Sequence, residues 1–123
     1  MESIVKSVKH AIAWEDARNV LIAGESLQII RQFPERSVDL IVTDPPYHST
    51  KKSNIIGDTA FEDDEAYLKW MDQFAAEWTR ILKPTGSLYC FCSNRMSARL
   101  EVLLRARMTV LSNITWTKPN LPG

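Results

Sequence analysis

A chain of 123 residues is slightly less than one typical domain, so a single hydrophobic core with no separate substrate module is expected. At 45% hydrophobic and 24% charged it has the composition of a soluble globular chain, and fifteen Lys and Arg offset by fifteen Asp and Glu exclude a polybasic, histone-like mode of nucleic-acid binding while leaving room for a local basic patch. No apolar run approaches the roughly 20 residues that span a bilayer, and the start Met1-Glu2-Ser3-Ile4-Val5-Lys6 lacks the apolar stretch of a signal peptide, so a cytoplasmic protein with no membrane partner is expected.

Residues 1–18 carry no clean periodicity and read as a lead-in, with a short extended piece around Ala11 to Trp14. Val20-Leu21-Ile22-Ala23 reads as a buried strand broken by Gly24, after which Ser26 is placed to cap a short helix with Leu27, Ile30 and Phe33 on one face before Pro34. Val38 to Thr43 is a second apolar, β-branched strand that runs into Asp44-Pro45-Pro46-Tyr47, where two prolines end any ladder. Residues 48–64 are polar and pattern-free, and a loop of this length in a small domain predicts a mobile lid.

The acidic run Glu62, Asp63, Asp64 and Glu65 suits the positive end of a helix dipole, and Tyr67, Met71, Phe74, Trp78 and Ile81 follow at helical spacing. Lys83-Pro84-Thr85-Gly86 is expected to stop that helix before a third strand, Ser87 to Cys92. Ser93 or Asn94 then caps a helix running to about Arg107, with Met96, Leu100, Leu103 and Leu104 inward and Arg95, Arg99, Arg105 and Arg107 available to solvent. Val110 to Trp116 reads as a fourth strand. Cys90 and Cys92 share a strand face and are poorly placed to pair with each other, and with His10 and His48 they offer no zinc spacing. Inert thiols and no metal are expected.

Strands alternating with helices predict βαβ units and an α/β fold with a mainly parallel sheet, in which ligands collect beyond the carboxyl ends of the strands. Asp44-Pro45-Pro46-Tyr47 lies at such an end. A bland account is a stiff strand exit, with Asp44 capping a turn and Tyr47 packed on the core. The chemical account is sharper: the prolines leave a carbonyl with no competing N–H beside it, Asp44 adds a second acceptor, and Tyr47 adds a flat aromatic face. Two acceptors beside a stacking platform suit a planar ring with an exocyclic NH2, such as adenine or cytosine rotated out of a duplex.

These residues resemble the amino-methylating DNA methyltransferases, whose fourth motif has the form Asp/Asn/Ser-Pro-Pro-Tyr/Phe. Gly24-Glu25-Ser26-Leu27 with Ser37 to Tyr47, Arg80 to Leu88, and Ile114 to Asn120 look like further stretches of that family, so the likeness covers roughly residues 19–120. The motif's early position is similar to the β-class order, in which catalytic motifs precede the target-recognition and main cofactor-binding segments. The resemblance implies a partial Rossmann-like fold, S-adenosylmethionine as methyl donor and DNA as partner. It gives Asp44 and the carbonyl beside Pro45 the hydrogen bonds to the target amine, with Pro46 stiffening the corner and Tyr47 stacking on the base. Glu25 and Asp44 fall on the cofactor side, although a capping carboxylate is an equal reading of Glu25. Lys51, Lys52 and Lys118 are candidates for DNA contact, with a solvated lysine as the default for each.

The family's glycine-rich Phe-x-Gly-x-Gly turn is not found among Gly24, Gly57, Gly86 and Gly123. Residues 19–123 therefore read as the N-terminal, catalytic-motif part of a DNA methylase domain, with a complementary C-terminal half as a possible partner. Three functions compete. The first is transfer of a methyl group to the exocyclic amine of a flipped adenine, with cytosine second because Asp opens the motif. The others are a catalytically silent DNA- or partner-binding half, and methylation of a protein glutamine.

Overall fold

The computed structural model describes residues 1–48 and 61–119. Helix α1 (Glu2–Ser7) and one turn of 3-10 helix (Lys9–Ala11) lead into strand β1 (Ile12–Glu15), which pairs antiparallel with β2 (Val20–Ile22). The turn between them is held by Asp16, whose carboxylate accepts the amides of Arg18 at 2.8 Å and Asn19 at 2.6 Å. Those two bonds hold its pKa below the ordinary carboxylate value. So short a connection can only bring its strands together antiparallel, because a parallel pair needs a crossover of a dozen or more residues. The Val20 strand is thus half of a local hairpin rather than the first strand of a parallel sheet.

Helix α2 (Ser26–Ile30) is capped by Glu25, one residue earlier than expected: its carboxylate accepts Leu27 N at 3.2 Å and Gln28 N at 2.9 Å, and Ser26 is the first helical residue. The other end of α2 is closed by Arg80, which donates to the carbonyls of Phe33 (2.7 Å), Ile30 (3.0 Å) and Arg31 (3.3 Å). A guanidinium fork is well shaped to satisfy several orphan helix carbonyls at once.

Strand β3 (Val38–Thr43), helix α3 (Asp64–Ile81) and strand β4 (Leu82–Cys90) form a parallel βαβ unit, with Ile41 opposite Leu88 and Thr43 opposite Cys90. The helix ends at Ile81, just before Lys83-Pro84-Thr85-Gly86 as expected, but the strand begins earlier than Ser87 and takes those residues in. Val38 pairs with Leu82 and Leu40 with Ser87, so these residues bulge from an already started strand opposite Asp39. Pro84 has no N–H for the ladder, and a side chain at Gly86 would sit 3.0 Å from the Lys83 carbonyl and 3.1 Å from that of Asp39.

The core lies on one face of this pair. Tyr67, Met71, Phe74, Ala75 and Trp78 of α3 pack with Leu27 and with Met96 and Leu100 of helix α4 (Asn94–Arg105), over Ile41, Leu88 and Cys90. Ser93 caps α4 through Met96 N. The opposite face of the pair is bare: Leu40, Val42 and Tyr89 are 54%, 63% and 54% exposed. The fourth strand expected at Val110–Trp116 does not form. Among the described residues no strand pairs with it, and Leu111, Ile114 and Trp116 stand 72% or more exposed.

Among the described residues the fold is therefore mixed α/β with one parallel and one antiparallel strand pair, narrower than the mainly parallel sheet expected. Among the described residues no helix is long and apolar enough to cross a membrane.

Candidate functional site at the strand tips

The last rung between the two strands is the amide of Phe91 donating to the Thr43 carbonyl at 3.0 Å. Beyond it, the consecutive prolines end the ladder. The Asp44 side chain is exposed, and among the described residues it makes no hydrogen bond or ion pair; the Pro45 carbonyl likewise has no donor. The next three carbonyls behave differently. Pro46 O accepts the Tyr67 hydroxyl at 2.9 Å, Tyr47 O the Ser93 hydroxyl at 3.4 Å, and His48 O the Arg95 guanidinium at 3.2 Å. Tyr47 is half-buried, with its ring outside the apolar cluster formed by α3 and α4.

His48 ends the corner in the left-handed region, at φ 51°, and is buried. Its ring stacks on Tyr67 at 5.2 Å between centroids, with Phe61 edge-on at 5.8 Å. Its Nε2 lies 3.0 Å from Asp64, which also receives Arg95 at 2.7 Å and Arg99 at 3.0 Å. The Arg95 hydrogen bond, helped by His48 and by the charges of Arg95 and Arg99, outweighs desolvation and holds the Asp64 carboxyl below its ordinary pKa.

Both cysteines are free thiols near the tips. Burial first, then the neighbouring Cys92 and Asp44, pushes the Cys90 thiol up to about 12, and burial raises Cys92. Neither supplies a thiolate at neutral pH.

The chain returns to the tips after α4. Trp116 packs 6.1 Å from Phe91, and the Lys118 ammonium lies 6.0 Å from the Trp116 ring centre. Lys118 thus lies over the Trp116 ring, although no strand carries it there. Lys51 and Lys52 lie outside the described residues, as do residues 49–60 of the expected lid. The ends of that stretch, His48 and Phe61, are packed against α3. Glu25 is exposed at the end of the separate hairpin sheet, spent on capping α2, and no contact joins it to the corner among the described residues. An apolar groove of about 280 Å³, lined by Ile30, Phe33, Val38, Leu40, Ile41, Val42, Trp78 and Ile81, runs along the free edge of β3 and includes none of residues 44–48.

The sequence profile of the DNA methylases matches residues 38–123, from the first residue of β3 onward. The chain belongs to the DNA methylase family. It is similar to the DNA adenine methyltransferase YhdJ of Escherichia coli (strain K12), 32% identical over 97 residues that make up 79% of this chain and 32% of that protein. It is also similar to the type II methyltransferase M.BglII of Bacillus subtilis, 35% identical over 75 residues (58% of this chain, 18% of that one). A third relative, M.HpaI of Haemophilus parainfluenzae, is 30% identical over 98 residues (78% and 31%). The chain spans about a third or less of the length of these relatives.

The corner is braced by residues to which the sequence alone gives other roles. Tyr67 is in the core, as its helical spacing predicts, and its hydroxyl in addition holds the Pro46 carbonyl. Arg95, Arg99, Arg105 and Arg107 are exposed, as expected, but each also pairs with a carboxylate: Arg95 and Arg99 with Asp64, Arg105 with Glu101 and Arg107 with Asp72. The acidic run does open α3, with Asp63 capping Ala66 N at 2.8 Å, but Asp64 and Glu65 also bind the arginines of α4. The available signal was opposite charge on two neighbouring helix starts, Asp64-Glu65 and Arg95-Arg99.

Proposed function

We propose that the chain is the N-terminal, motif-bearing part, over residues 19–123, of a Rossmann-like DNA methyltransferase that methylates the exocyclic amine of a flipped adenine. One observation carries the reading: the Asp44 carboxylate and the Pro45 carbonyl stand unpaired at a strand tip while the three carbonyls that follow are all engaged. Two adjacent free acceptors match the two N–H groups of an aromatic amine. The exposed rings of Phe91 and Trp116 beside them, with Tyr47, offer faces on which an unstacked base can rest.

An aromatic amine is a poor nucleophile because its lone pair is delocalised into the ring. Hydrogen bonds from both N–H groups to Asp44 and Pro45 favour a pyramidal nitrogen and free that pair for in-line attack on a sulfonium methyl carbon, whose C–S bond would break with its electron pair left on sulfur as the N–C bond forms, and the surplus proton would then pass from nitrogen to solvent. Asp44 acts through orientation and through stabilisation of positive charge developing on the nitrogen, with no covalent intermediate on the protein. S-adenosylmethionine supplies an electrophilic methyl group when bound. The residues of this chain fit its methyl-accepting side. A glycine-rich cradle for the rest of the cofactor is not among them, and a complementary C-terminal half is the natural source of one. Lys51, Lys52 and Lys118 are assigned to DNA phosphates, and Glu25 to the cofactor by resemblance alone. Asp at the head of the motif, and a relative named as an adenine methyltransferase, favour adenine over cytosine.

The test incubates the complete protein containing this chain with duplex DNA and methyl-labelled S-adenosylmethionine, then digests the DNA to nucleosides. Label in N6-methyladenine is expected. Label in N4-methylcytosine reassigns the base, and label only in peptide glutamine, or in nothing, overturns the proposal.

A second reading has its own support in the bare sheet face of Leu40, Val42 and Tyr89 and the free edge of β3: a catalytically silent half that binds a methyltransferase partner. It predicts a defined heterocomplex on a sizing column and no S-adenosylmethionine binding by calorimetry.

A further inference from the structure

The corner is divided sharply between residues 45 and 46. Three successive carbonyls, those of Pro46, Tyr47 and His48, are each held by a side chain from a different point of the two helices: Tyr67 in the first turn of α3, Ser93 at the cap of α4, and Arg95 in its first turn. Arg95 makes a second bond at 2.7 Å to Asp64, and Asp64 in turn holds His48 at 3.0 Å. A closed circuit results, in which His48 is fixed through its backbone by Arg95 and through its ring by Asp64 and Tyr67.

This circuit is kept at a visible cost. A carboxylate only accepts, so His48 Nε2 is the donor to Asp64 and the second ring nitrogen, Nδ1, is left buried with no partner. The residue also sits at φ 51°, a conformation uncommon outside glycine. An orphaned ring nitrogen and a left-handed backbone persist together only where the surroundings over-determine them, and such sites cluster where a precise geometry is used.

We propose that Tyr67, Asp64 and Arg95, acting through His48, are positioning residues for methyl transfer. They hold the second half of the corner so that Asp44 and the Pro45 carbonyl face the amine with both acceptors free. The inference rests on the function proposed above, and deepens it by naming the device that sets the acceptor geometry. None of the three touches substrate. Tyr67 is the cleanest probe, since its ring is held by stacking with His48 and by contacts at 5.1 Å to Phe61 and 6.2 Å to Trp70, while only its hydroxyl reaches Pro46.

Tyr67→Phe, Arg95→Ala, Arg95→Lys and Asp44→Ala are compared in the complete methyltransferase, with kcat and KM for DNA measured below the melting temperature of every variant. Because small displacements of reacting groups cost up to about 10²-fold, Tyr67→Phe is expected to lower kcat about tenfold with KM within about twofold. Arg95→Ala is expected to do the same, with partial rescue by Arg95→Lys. Full kcat in Tyr67→Phe while Asp44→Ala is inactive overturns the positioning role and leaves the function standing, whereas full activity in Asp44→Ala overturns the function itself. Hydrogen exchange on the 123-residue chain reads the brace without catalysis. Faster exchange at the Tyr47 and His48 amides of Tyr67→Phe, with α3 amides unchanged, is expected; unchanged exchange at the corner contradicts the brace.

Discussion

The two ends of the β3–β4 pair are built on opposite principles. At the lower end the backbone and several side chains are tied back into the protein: Arg36 N and Ser37 N donate to the carbonyls of Arg80 and Ile81, the Ser37 hydroxyl to Pro34 O, and Lys83 pairs with Asp39 at 3.0 Å. At the upper end the ladder stops at Thr43, and the two acceptors just beyond it, Asp44 and the Pro45 carbonyl, are left open among the described residues while the next three carbonyls are held. On the function proposed, a parallel pair thus separates stability from chemistry along one strand, with the lower end holding the fold and the upper end presenting groups to the substrate.

The contrast can be broken first at its lower end. Arg80 joins α2, α3 and the entry to β3, and Arg80→Ala leaves the carbonyls of Ile30, Arg31 and Phe33 without their donor. A loss of about 1.5–3 kcal/mol is expected, the range for hydrogen bonds to a charged group. Activity per folded molecule should be preserved. Chemical denaturation, paired with activity at a temperature where the variant is folded, checks both halves; a selective loss of activity without loss of stability would erase the division of labour.

A smaller effect sharpens the upper end. The Asp64 carboxyl has a lowered pKa in the folded state, so the unfolded chain binds the proton more readily. The stability that Asp64 contributes is complete above the unfolded carboxylate value, near 3.9, and is lost as pH falls through the folded value. Asp16 and Asp72 are lowered as well, by backbone amides and by Arg107 respectively. Asp64→Asn should therefore flatten the fall in melting temperature on acidification only in part. An unaltered acid profile in Asp64→Asn would mean that the corner brace adds nothing to folding.

The apolar periodicity of α3 was readable in full, since Tyr67, Met71, Phe74, Trp78 and Ile81 are all buried, and the approach of β3 to the Pro-Pro corner was readable because β-branched runs and paired prolines are local signals. What failed was pairing. Val20–Ile22 found its partner across a turn set by one aspartate, and Val110–Trp116 has strand composition but no neighbouring strand among the described residues. Whether an extended segment joins a ladder depends on what lies beside it in space. The corner's acceptors were legible from residue type, but its brace was not, because Tyr67 and Arg95 are 21 and 47 residues from the carbonyls they hold and each has an adequate local explanation. Glu25 shows the same limit, since a carboxylate ahead of a helix serves equally as a cap.

The most direct test of the central claim is single-turnover methyl transfer by the complete methyltransferase carrying Asp44→Ala. Loss of one preorganised group that stabilises transition-state charge costs about 10²–10³-fold. A fall of that size is expected, with the melting temperature unchanged because Asp44 makes no bond that holds the fold. Transfer at the normal rate would contradict the account, since an exposed carboxylate that neither holds the protein nor meets the amine would leave the strand-tip corner without its chemistry.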